Sequence, residues 1–171
     1  MPEMGVNSLK ANLQDLARSN LFEVIIPSPP GGGDYNALLL RCMSSSVPGR
    51  SVGEIKVPFK QTSGLKFHGK LTFSQIWKCT FIEGEDRKIF DAIHAWNQKV
   101  VDTAQGTSTP DSSLKTDVYL TLITVAGQVY QKIRLVGCYP QEVGDVTLEQ
   151  GSEEPVRYDV TLSYDYWDYV S

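Results

Sequence analysis

The sequence predicts a mainly β fold, a barrel or sandwich of two packed antiparallel sheets, with one flanking α-helix and with extended arms and loops. Short strand-like runs recur along the chain, and turn residues separate them. Only one segment, residues 85–101, has a strong helical period. The final run, YDVTLSYDYWDYV at 158–170, alternates apolar and polar side chains as a half-buried strand does. The length of 171 residues predicts one domain over residues 1–171.

The amino-terminal region, residues 1–19, is predicted to be an arm ahead of the first strand. Within it, SLKANLQDLAR places Leu9, Leu13 and Leu16 at helical spacing, which indicates a short amphipathic segment. The strand NLFEVIIP follows and ends where PSPPGGGDYN breaks regular structure. Because these glycines follow two prolines and do not open a helix, we expect a flexible loop and no phosphate site.

Three strand-like runs come next, LLLRCMS, SVGEIKVPF and LTFSQIWKCTFI. In the last run, period-two alternation predicts one shared face made of Leu71, Phe73, Trp77, Cys79 and Phe81.

The helix predicted over residues 85–101 has an apolar stripe, which consists of Ile89, Ile93, Trp96 and Val100. Glu85 and Asp86 are predicted to lie in its first turn, where the helix dipole favours anions. The segment TAQGTSTPDSSLKT after it is predicted to be a polar loop.

The remaining residues predict a hairpin and a closing strand. VYLTLITV and VYQKIRLVGCYP flank a turn at Ala126-Gly127-Gln128, which indicates antiparallel pairing. The closing strand is predicted to bury one face, made of Val156, Tyr158, Val160, Leu162, Tyr164 and Tyr166. Its other face is polar and consists of Arg157, Asp159, Thr161, Ser163 and Asp165.

No pattern in the sequence indicates catalysis, a cofactor or a metal. The two histidines, His68 and His94, are not at ligand spacing from cysteines or carboxylates. The three cysteines are far apart and odd in number, which is typical of free thiols in a reducing compartment. Neighbouring acids such as Asp165 and Asp168 are more typical of a solvated face than of an acid/base pair. We therefore expect no catalytic, cofactor-binding or metal-binding residues.

Charge and hydropathy limit the class of partner. A net charge of −4 disfavours a dedicated nucleic-acid binder. No run approaches the roughly 20 apolar residues of a membrane span, and the first residues contain no apolar signal segment. We expect a soluble chain that is neither exported nor inserted into a membrane.

Five segments carry a resemblance that covers most of the chain. They are LARSNLFEVII (16–26), CMSSSVPGR (42–50), TFSQIWKCTFIEGEDRKIFDAIHAW (72–96), VGCYPQEVGDVTLE (136–149) and YDVTLSYDYW (158–167). In order and spacing they resemble the tail tube proteins of contractile-tailed bacteriophages and, more distantly, the inner-tube proteins of type VI secretion. One departure is Glu149-Gln150, where the family often has a tryptophan.

The resemblance implies a structural virion protein and not an enzyme. Six copies would form a ring, and rings would stack head to tail into an inner tube, the conduit for DNA ejection inside a contractile sheath. The implied partners are other copies of the chain and the tail sheath, baseplate or initiator, tape measure and tail terminator proteins. Viral DNA would pass through the lumen without specific binding. The implied location is the virion tail, after assembly in the host cytoplasm.

Two surfaces are predicted to serve assembly and transport. Residues 47–70 carry five cations against one acid, a net charge of +4, and residues 140–171 carry eight acids against one cation, a net charge of −7. Opposite charges on two surfaces can set the polarity of a head-to-tail stack, so the ring-stacking candidates are Arg50, Lys56, Lys60, Lys66 and Lys70. The amino-terminal arm and residues 103–116 are further candidates for contacts between subunits. Asp159 and Asp165 are the lumen candidates, because a DNA channel is best lined without cations that bind phosphate.

Other interpretations remain open at this stage. The two charged segments could be solvated faces that never meet. A ligand-binding barrel would surround a sugar or lipid with Tyr158, Tyr164, Tyr166 and Trp167. A small hydrolase would lose its turnover when a single carboxylate is replaced.

Overall fold

The computed structural model describes residues 6–13 and 16–170. The helices of this described part are α1 (Val6–Leu13), α2 (Tyr35–Leu40), α3 (Lys88–Val100) and α4 (Asp111–Leu114). Its strands are β1 (Phe22–Ile25), β2 (Cys42–Ser45), β3 (Arg50–Phe59), β4 (Thr62–Phe73), β5 (Ile76–Ile82), β6 (Thr116–Ile123), β7 (Val129–Val143), β8 (Arg157–Ser163) and β9 (Tyr166–Val170). The mainly β fold class is confirmed.

Two antiparallel sheets face each other and share one long strand. The first sheet runs β1-β6-β7-β9, and the second runs β7-β8-β5-β2. Strand β7 passes from one sheet to the other by bending at Gly137, whose φ of 70° lies in the left-handed region that favours glycine. Its early half pairs with β9 and its late half with β8. The architecture is therefore a sandwich.

The hydrophobic core lies between the sheets, and α3 packs against it. Trp77, Phe81, Val160 and Leu162 come from the second sheet and are at most 1% exposed. The first sheet contributes inward residues of β1, β6 and β7 such as Leu135, which is fully buried. Helix α3 contributes the predicted stripe, of which Ile89, Ile93 and Trp96 are buried and Val100 is partly buried. The predicted helix and its orientation are confirmed.

The hairpin of β3 and β4 forms a separate two-stranded sheet that projects from the sandwich. Every residue of β3 is exposed, and so are most residues of β4. The predicted segment 47–70 is thus a hairpin whose strands extend as far as Phe73.

Residues 38–40 were predicted as part of a strand, and this prediction is wrong. They belong to α2, because Asp34 accepts a hydrogen bond from the Ala37 amide at 3.2 Å and so satisfies a free N–H of the first turn. Leu38 is fully buried, whereas Leu40 is 77% exposed. Helix α1 overlaps the amphipathic segment that was predicted from Leu9 and Leu13, whereas α2 and α4 of the described chain were not predicted.

Two predicted strands are each divided into two. LTFSQIWKCTFI breaks at Ser74-Gln75, where Gln75 has a φ of 57°, so Leu71 lies on the exposed hairpin and not on the core face. The closing strand breaks at Tyr164-Asp165, where the chain turns from the second sheet to the first. This turn reverses the alternation, because Trp167 is buried while Tyr166 is 45% exposed. The prediction that Tyr166 belongs to the core is therefore wrong.

Helix α3 starts later than predicted, and a further short helix lies in the loop after it. Helix α3 begins at Lys88, so Glu85 and Asp86 precede it. The carboxylate of Glu83 caps the helix instead, since its Oε2 accepts a hydrogen bond from the Phe90 amide at 2.6 Å. The predicted polar loop at 103–116 contains α4, and its Leu114 is buried.

Candidate assembly surfaces

The root of the β3–β4 hairpin is attached to the core by aromatic side chains. The indole of Trp77 donates a hydrogen bond to the Ser46 carbonyl at 2.6 Å, and that of Trp167 donates to the Gly49 carbonyl at 3.2 Å. The ring of Phe73, at the end of β4, contacts Trp167 edge-on with 6.2 Å between centroids. Because both indoles are buried, the direction in which the hairpin leaves the sandwich is set by the core.

The outer half of the hairpin has one apolar face and one polar face. Directly opposite residues of an antiparallel pair lie on the same face. Ile55 pairs with Phe67 and Val57 with Leu65, while Glu54 pairs with His68 and Lys56 with Lys66. Alternation along β3 adds Phe59 to the first set. We call this set the apolar face; its members, Ile55, Val57, Phe59, Leu65 and Phe67, are 45–64% exposed.

The five stacking candidates do not form one uniform patch. Lys56 and Lys66 lie together on the polar face, and both contact Glu54, at 2.9 and 3.1 Å. Hydrogen bonds from these two ammonium groups lower the pKa of Glu54. Arg50 lies at the root, opposite Phe73, and Lys60 lies at the tip, where its Nζ is 5.6 Å from the centre of the Phe59 ring. Lys70 lies where the register between β3 and β4 shifts, so it falls between the Val52–Leu71 and Glu54–His68 pairs.

Two acids of the carboxyl-terminal segment form ion pairs within the chain. Asp165 contacts Lys115 at 3.0 Å, and Asp168 contacts Arg134 at 2.7 Å. The hydrogen bond from Arg134 lowers the pKa of Asp168. Four further acids, Asp145, Glu149, Glu153 and Glu154, are exposed on the loop at 144–156 between β7 and β8. This loop, which we call the acidic loop, is therefore the part of the segment with most charge available to a partner.

The two lumen candidates lie in different environments. Asp159 is exposed on the outer face of β8, where it accepts a hydrogen bond from Thr80 at 2.7 Å. Asp165 lies at the corner between β8 and β9, packed against Gly137 and paired with Lys115. The structure does not bring the two carboxylates together on one strand face. Asp165 has a structural role that the sequence did not reveal.

The aromatic residues near the carboxyl terminus do not converge on a ligand site. Tyr164 is buried and hydrogen bonds to Ser74 at 2.9 Å, and Trp167 is used at the hairpin root. Tyr158 packs against Phe90 of α3, and Tyr166 is exposed on the opposite side of β9 from Trp167. These contacts argue against a sugar or lipid pocket built from the four residues.

An ion-pair network that sequence reasoning missed joins α2 to the start of α3. Arg41 donates hydrogen bonds from its two terminal guanidinium nitrogens to the Asp86 carboxylate, at 2.7 and 2.8 Å, and Lys88 contacts Asp34 at 2.9 Å. The hydrogen bond from Arg41 lowers the pKa of Asp86 to about 2. The charge pattern of EGEDRK was the available signal, but the partners are far apart in sequence.

The residues that could perform chemistry are distributed without a common centre. Within residues 6–13 and 16–170, no three His, Cys, Asp or Glu side chains are grouped so that they could hold a metal ion. The three cysteines are free, and burial raises the pKa of Cys138 to about 12 and that of Cys79 well above its ordinary value. The glycine run packs closely on α3, where Gly31 approaches the Trp96 backbone. Over the same described part, no helix is long and apolar enough to cross a membrane.

A sequence model of one protein family, described as phage tail tube protein, matches residues 17–170. The chain belongs to the phage tail tube protein family. The match spans both sheets, the hairpin and α3, so the predicted resemblance to tail tube proteins is confirmed. No curated protein sequence matches this tail tube protein significantly.

Solved structures with the same fold come from contractile injection systems. The tube-terminating cap of the anti-feeding prophage is similar with a TM-score of 0.63 at 15% identity, covering 92% of this chain and 93% of that one. A subunit of the extended sheath-tube complex of the extracellular contractile injection system PVC has a TM-score of 0.60 at 15% identity, covering 97% and 99%. The sheath/tube terminator of that system has a TM-score of 0.63 at 16% identity, covering 90% and 96%. This tail tube protein therefore shares their fold over nearly its whole length.

Proposed function

We propose that this tail tube protein assembles into rings of six copies, which stack head to tail into the inner tube of a contractile tail. The tube is the conduit for DNA ejection and has no enzymatic role. The observation that carries the proposal is the β3–β4 hairpin, which is exposed on both faces yet attached to the core at its root. A two-stranded hairpin is marginally stable by itself, so a partner surface is its natural support.

The proposed partners follow from the organisation of such a tail. The chain contacts further copies of itself, the sheath outside, the baseplate or initiator at one end and the terminator at the other, and it encloses a tape measure protein. Structures of similar fold come from a sheath-tube complex, a sheath/tube terminator and a baseplate. The virion tail is the proposed location, with assembly in the host cytoplasm.

The basic hairpin, with Lys56 and Lys66 on its polar face, is the proposed site of charge recognition between rings. Arg50, Lys60 and Lys70 act with the Lys56/Lys66 pair, and the acidic loop of the next ring is their partner. Glu54 already offsets part of the charge of Lys56 and Lys66. The contact therefore contributes orientation and encounter rate more than affinity.

The outer face of β8 is the proposed lumen lining, with Asp159 as its exposed acid. Asp165 is assigned to the same lining at the corner of the sandwich, although its pairing with Lys115 reduces the charge it offers. This face also carries two exposed cations, Arg157 and Lys78, and a second exposed acid, Glu142. Its acids offset its cations and leave no excess positive charge to bind DNA phosphates, so the DNA can slide. Particles carrying Asp159→Lys should form tubes of normal length and release DNA more slowly, in a salt-dependent manner, and Thr161→Ser is a neutral control on the same face.

Electron microscopy of the purified chain is the direct test. Negative-stain images at high protein concentration, with and without purified baseplates as nuclei, should show six-fold rings or hollow tubes. A strictly monomeric chain under both conditions would contradict the proposal. Rings of another symmetry would contradict only the number of copies.

A further inference from the structure

Two segments of the described chain have apolar surfaces that stay exposed among residues 6–13 and 16–170. One is the apolar face of the hairpin. The other is the stripe of α1 formed by Val6, Leu9 and Leu13, whose exposed fractions are 71%, 58% and 47%. These three side chains follow the i, i+3, i+7 spacing of one helix face. Every side chain described for α1 is exposed, so α1 does not cover the hairpin of its own subunit.

Both segments need a partner for stability. A helix of eight residues is too short to persist in water by its own hydrogen bonds. A hairpin gains independent stability when a helix or a third strand packs on its apolar side. A helix placed on a two-stranded sheet is therefore the smallest unit in which both apolar surfaces are buried.

The dimensions of the two surfaces match. Eight helical residues extend for about 12 Å. The apolar face extends from Ile55 to Phe59, which spans about 14 Å along a strand. A helix about 10 Å in diameter covers two strands that are about 4.8 Å apart.

The charges also suit this contact. Lys56, Lys66 and Glu54 are on the polar face, so covering the apolar face leaves these three charges in water. Lys60 lies at the exposed tip beside the Phe59 ring, where its long side chain reaches water at the edge of the apolar face. The one charged residue of α1 is Lys10, and it stays at the edge of the leucine stripe, where its long side chain reaches water.

We infer that α1 of one copy packs on the apolar face of the β3–β4 hairpin of a neighbouring copy. The inference rests on the proposed self-assembly and names the two segments that meet. One surface of each copy meets a different surface of the next, so the contact propagates around a ring or along a stack. The three side chains of the α1 stripe and the five of the apolar face bury less than the roughly 1,200 Å² of a stable two-body complex. The contact therefore forms only together with the other contacts between subunits of the assembly.

Disulfide trapping in assembled material tests the contact. Leu9→Cys is introduced in one pool and Phe67→Cys in another, and the pools are co-assembled and mildly oxidised with diamide. The matched control replaces Phe67→Cys with His68→Cys, at the neighbouring position on the opposite face of β4. Because each pool carries one new thiol, a Leu9–Phe67 dimer on a non-reducing gel can form only between copies.

The expected result is at least a tenfold excess of Leu9–Phe67 dimers over Leu9–His68 dimers. Equal yields in assembled tubes, or a double variant that crosslinks only within one chain, would overturn this contact while leaving the proposed function intact. A wild-type chain that forms no ordered assembly would overturn both.

A second measurement does not depend on crosslinking. Leu9→Asp should reduce the assembled fraction at least fivefold, and Ala11→Asp, on the other side of α1, should leave it unchanged. Circular dichroism and melting of the free subunit should be the same for both variants. Equal assembly of the two variants would contradict the contact.

Discussion

The indole Nε1 of Trp167 donates a hydrogen bond to the carbonyl oxygen of Gly49 at 3.2 Å, and this bond links the last strand to the root of the hairpin. The two residues are 118 positions apart in sequence. Since Trp167 is also part of the core, the orientation of the projecting hairpin depends on packing inside the sandwich.

Replacing this indole should loosen the hairpin without unfolding the protein. Trp167→Phe keeps an aromatic ring near Phe73 but removes the donor to Gly49, at a cost of about 0.5–1.5 kcal/mol. Amide hydrogen exchange should become faster in β3 and β4 and stay the same in β6. The neighbouring Tyr166→Phe is the control, because Tyr166 is exposed. Unchanged exchange in the hairpin would mean that Trp77 and Ser46 hold the root without help.

The largest buried side chain of α3 should be essential for stability. Trp96→Ala removes a fully buried side chain and the hydrogen bond that its indole donates to the Leu114 carbonyl at 2.9 Å. We expect a loss of about 3–5 kcal/mol in the free energy of unfolding, measured by urea denaturation. Trp96→Phe should cost less because most of the packing remains. Wild-type stability in the alanine variant would disprove the packing of α3 described above.

The bend of β7 should be intolerant of a side chain. Gly137→Ala forces a φ of 70° on a residue with a Cβ, and this Cβ would collide with the Asp165 carboxylate. Gly127→Ala is a matched control, since Gly127 has a φ of 79° and open space around it. The control should lose about 1–2 kcal/mol from backbone strain, and Gly137→Ala should lose more in thermal or urea melts. Asp165→Ala in the Gly137→Ala background should recover part of the difference, and equal losses for the two alanine variants would refute the collision.

The Arg41–Asp86 pair should make stability depend on pH in acid. Arg41 lowers the pKa of folded Asp86 from 3.8 to about 2. A carboxylate with a lowered folded pKa stabilises the fold above its unfolded pKa, and this contribution disappears as the pH falls through the folded value. The stability difference between wild type and Arg41→Gln should therefore be constant above about pH 5 and should shrink between about pH 4 and pH 2. The exposed Lys78→Gln serves as the control, and a difference for Arg41→Gln that does not vary with pH would contradict the assignment.

Charge reversal on the polar face should slow tube growth. Lys56→Glu with Lys66→Glu places three acids together, since Glu54 lies between the two lysines. Elongation measured by light scattering should stop or slow at least tenfold, while the core still melts cooperatively. Lys99→Glu on α3 is a control outside the hairpin.

Wild-type elongation should slow as salt shortens the Debye length from about 10 Å at 0.1 M to about 3 Å at 1 M. Growth of the double variant at the wild-type rate in low salt would remove the polar face from stacking.

Local periodicity predicts the elements whose burial is decided by near neighbours in sequence. The stripe Ile89, Ile93 and Trp96 follows from a period of 3.6, and the β6–β7 hairpin follows from alternation around one turn. The charge of residues 47–70 can also be read directly from the sequence. Its arrangement cannot, because register shifts between β3 and β4 decide which cations share a face with Glu54.

The sequence by itself determined the mainly β class and the long amphipathic helix, because periodicity is a local property of the chain. The tail tube family followed from the resemblance of five segments in order along the sequence. Only the tertiary structure decided where strands end and which side chains are buried. Tyr164 and Trp167 belong to the core, and Tyr166 does not, because the chain changes sheets at Asp165. That turn depends on the bend at Gly137 and on the ion pair with Lys115, which is 50 residues away from Asp165. Contacts between distant residues override local alternation wherever the backbone must pass from one sheet to the other.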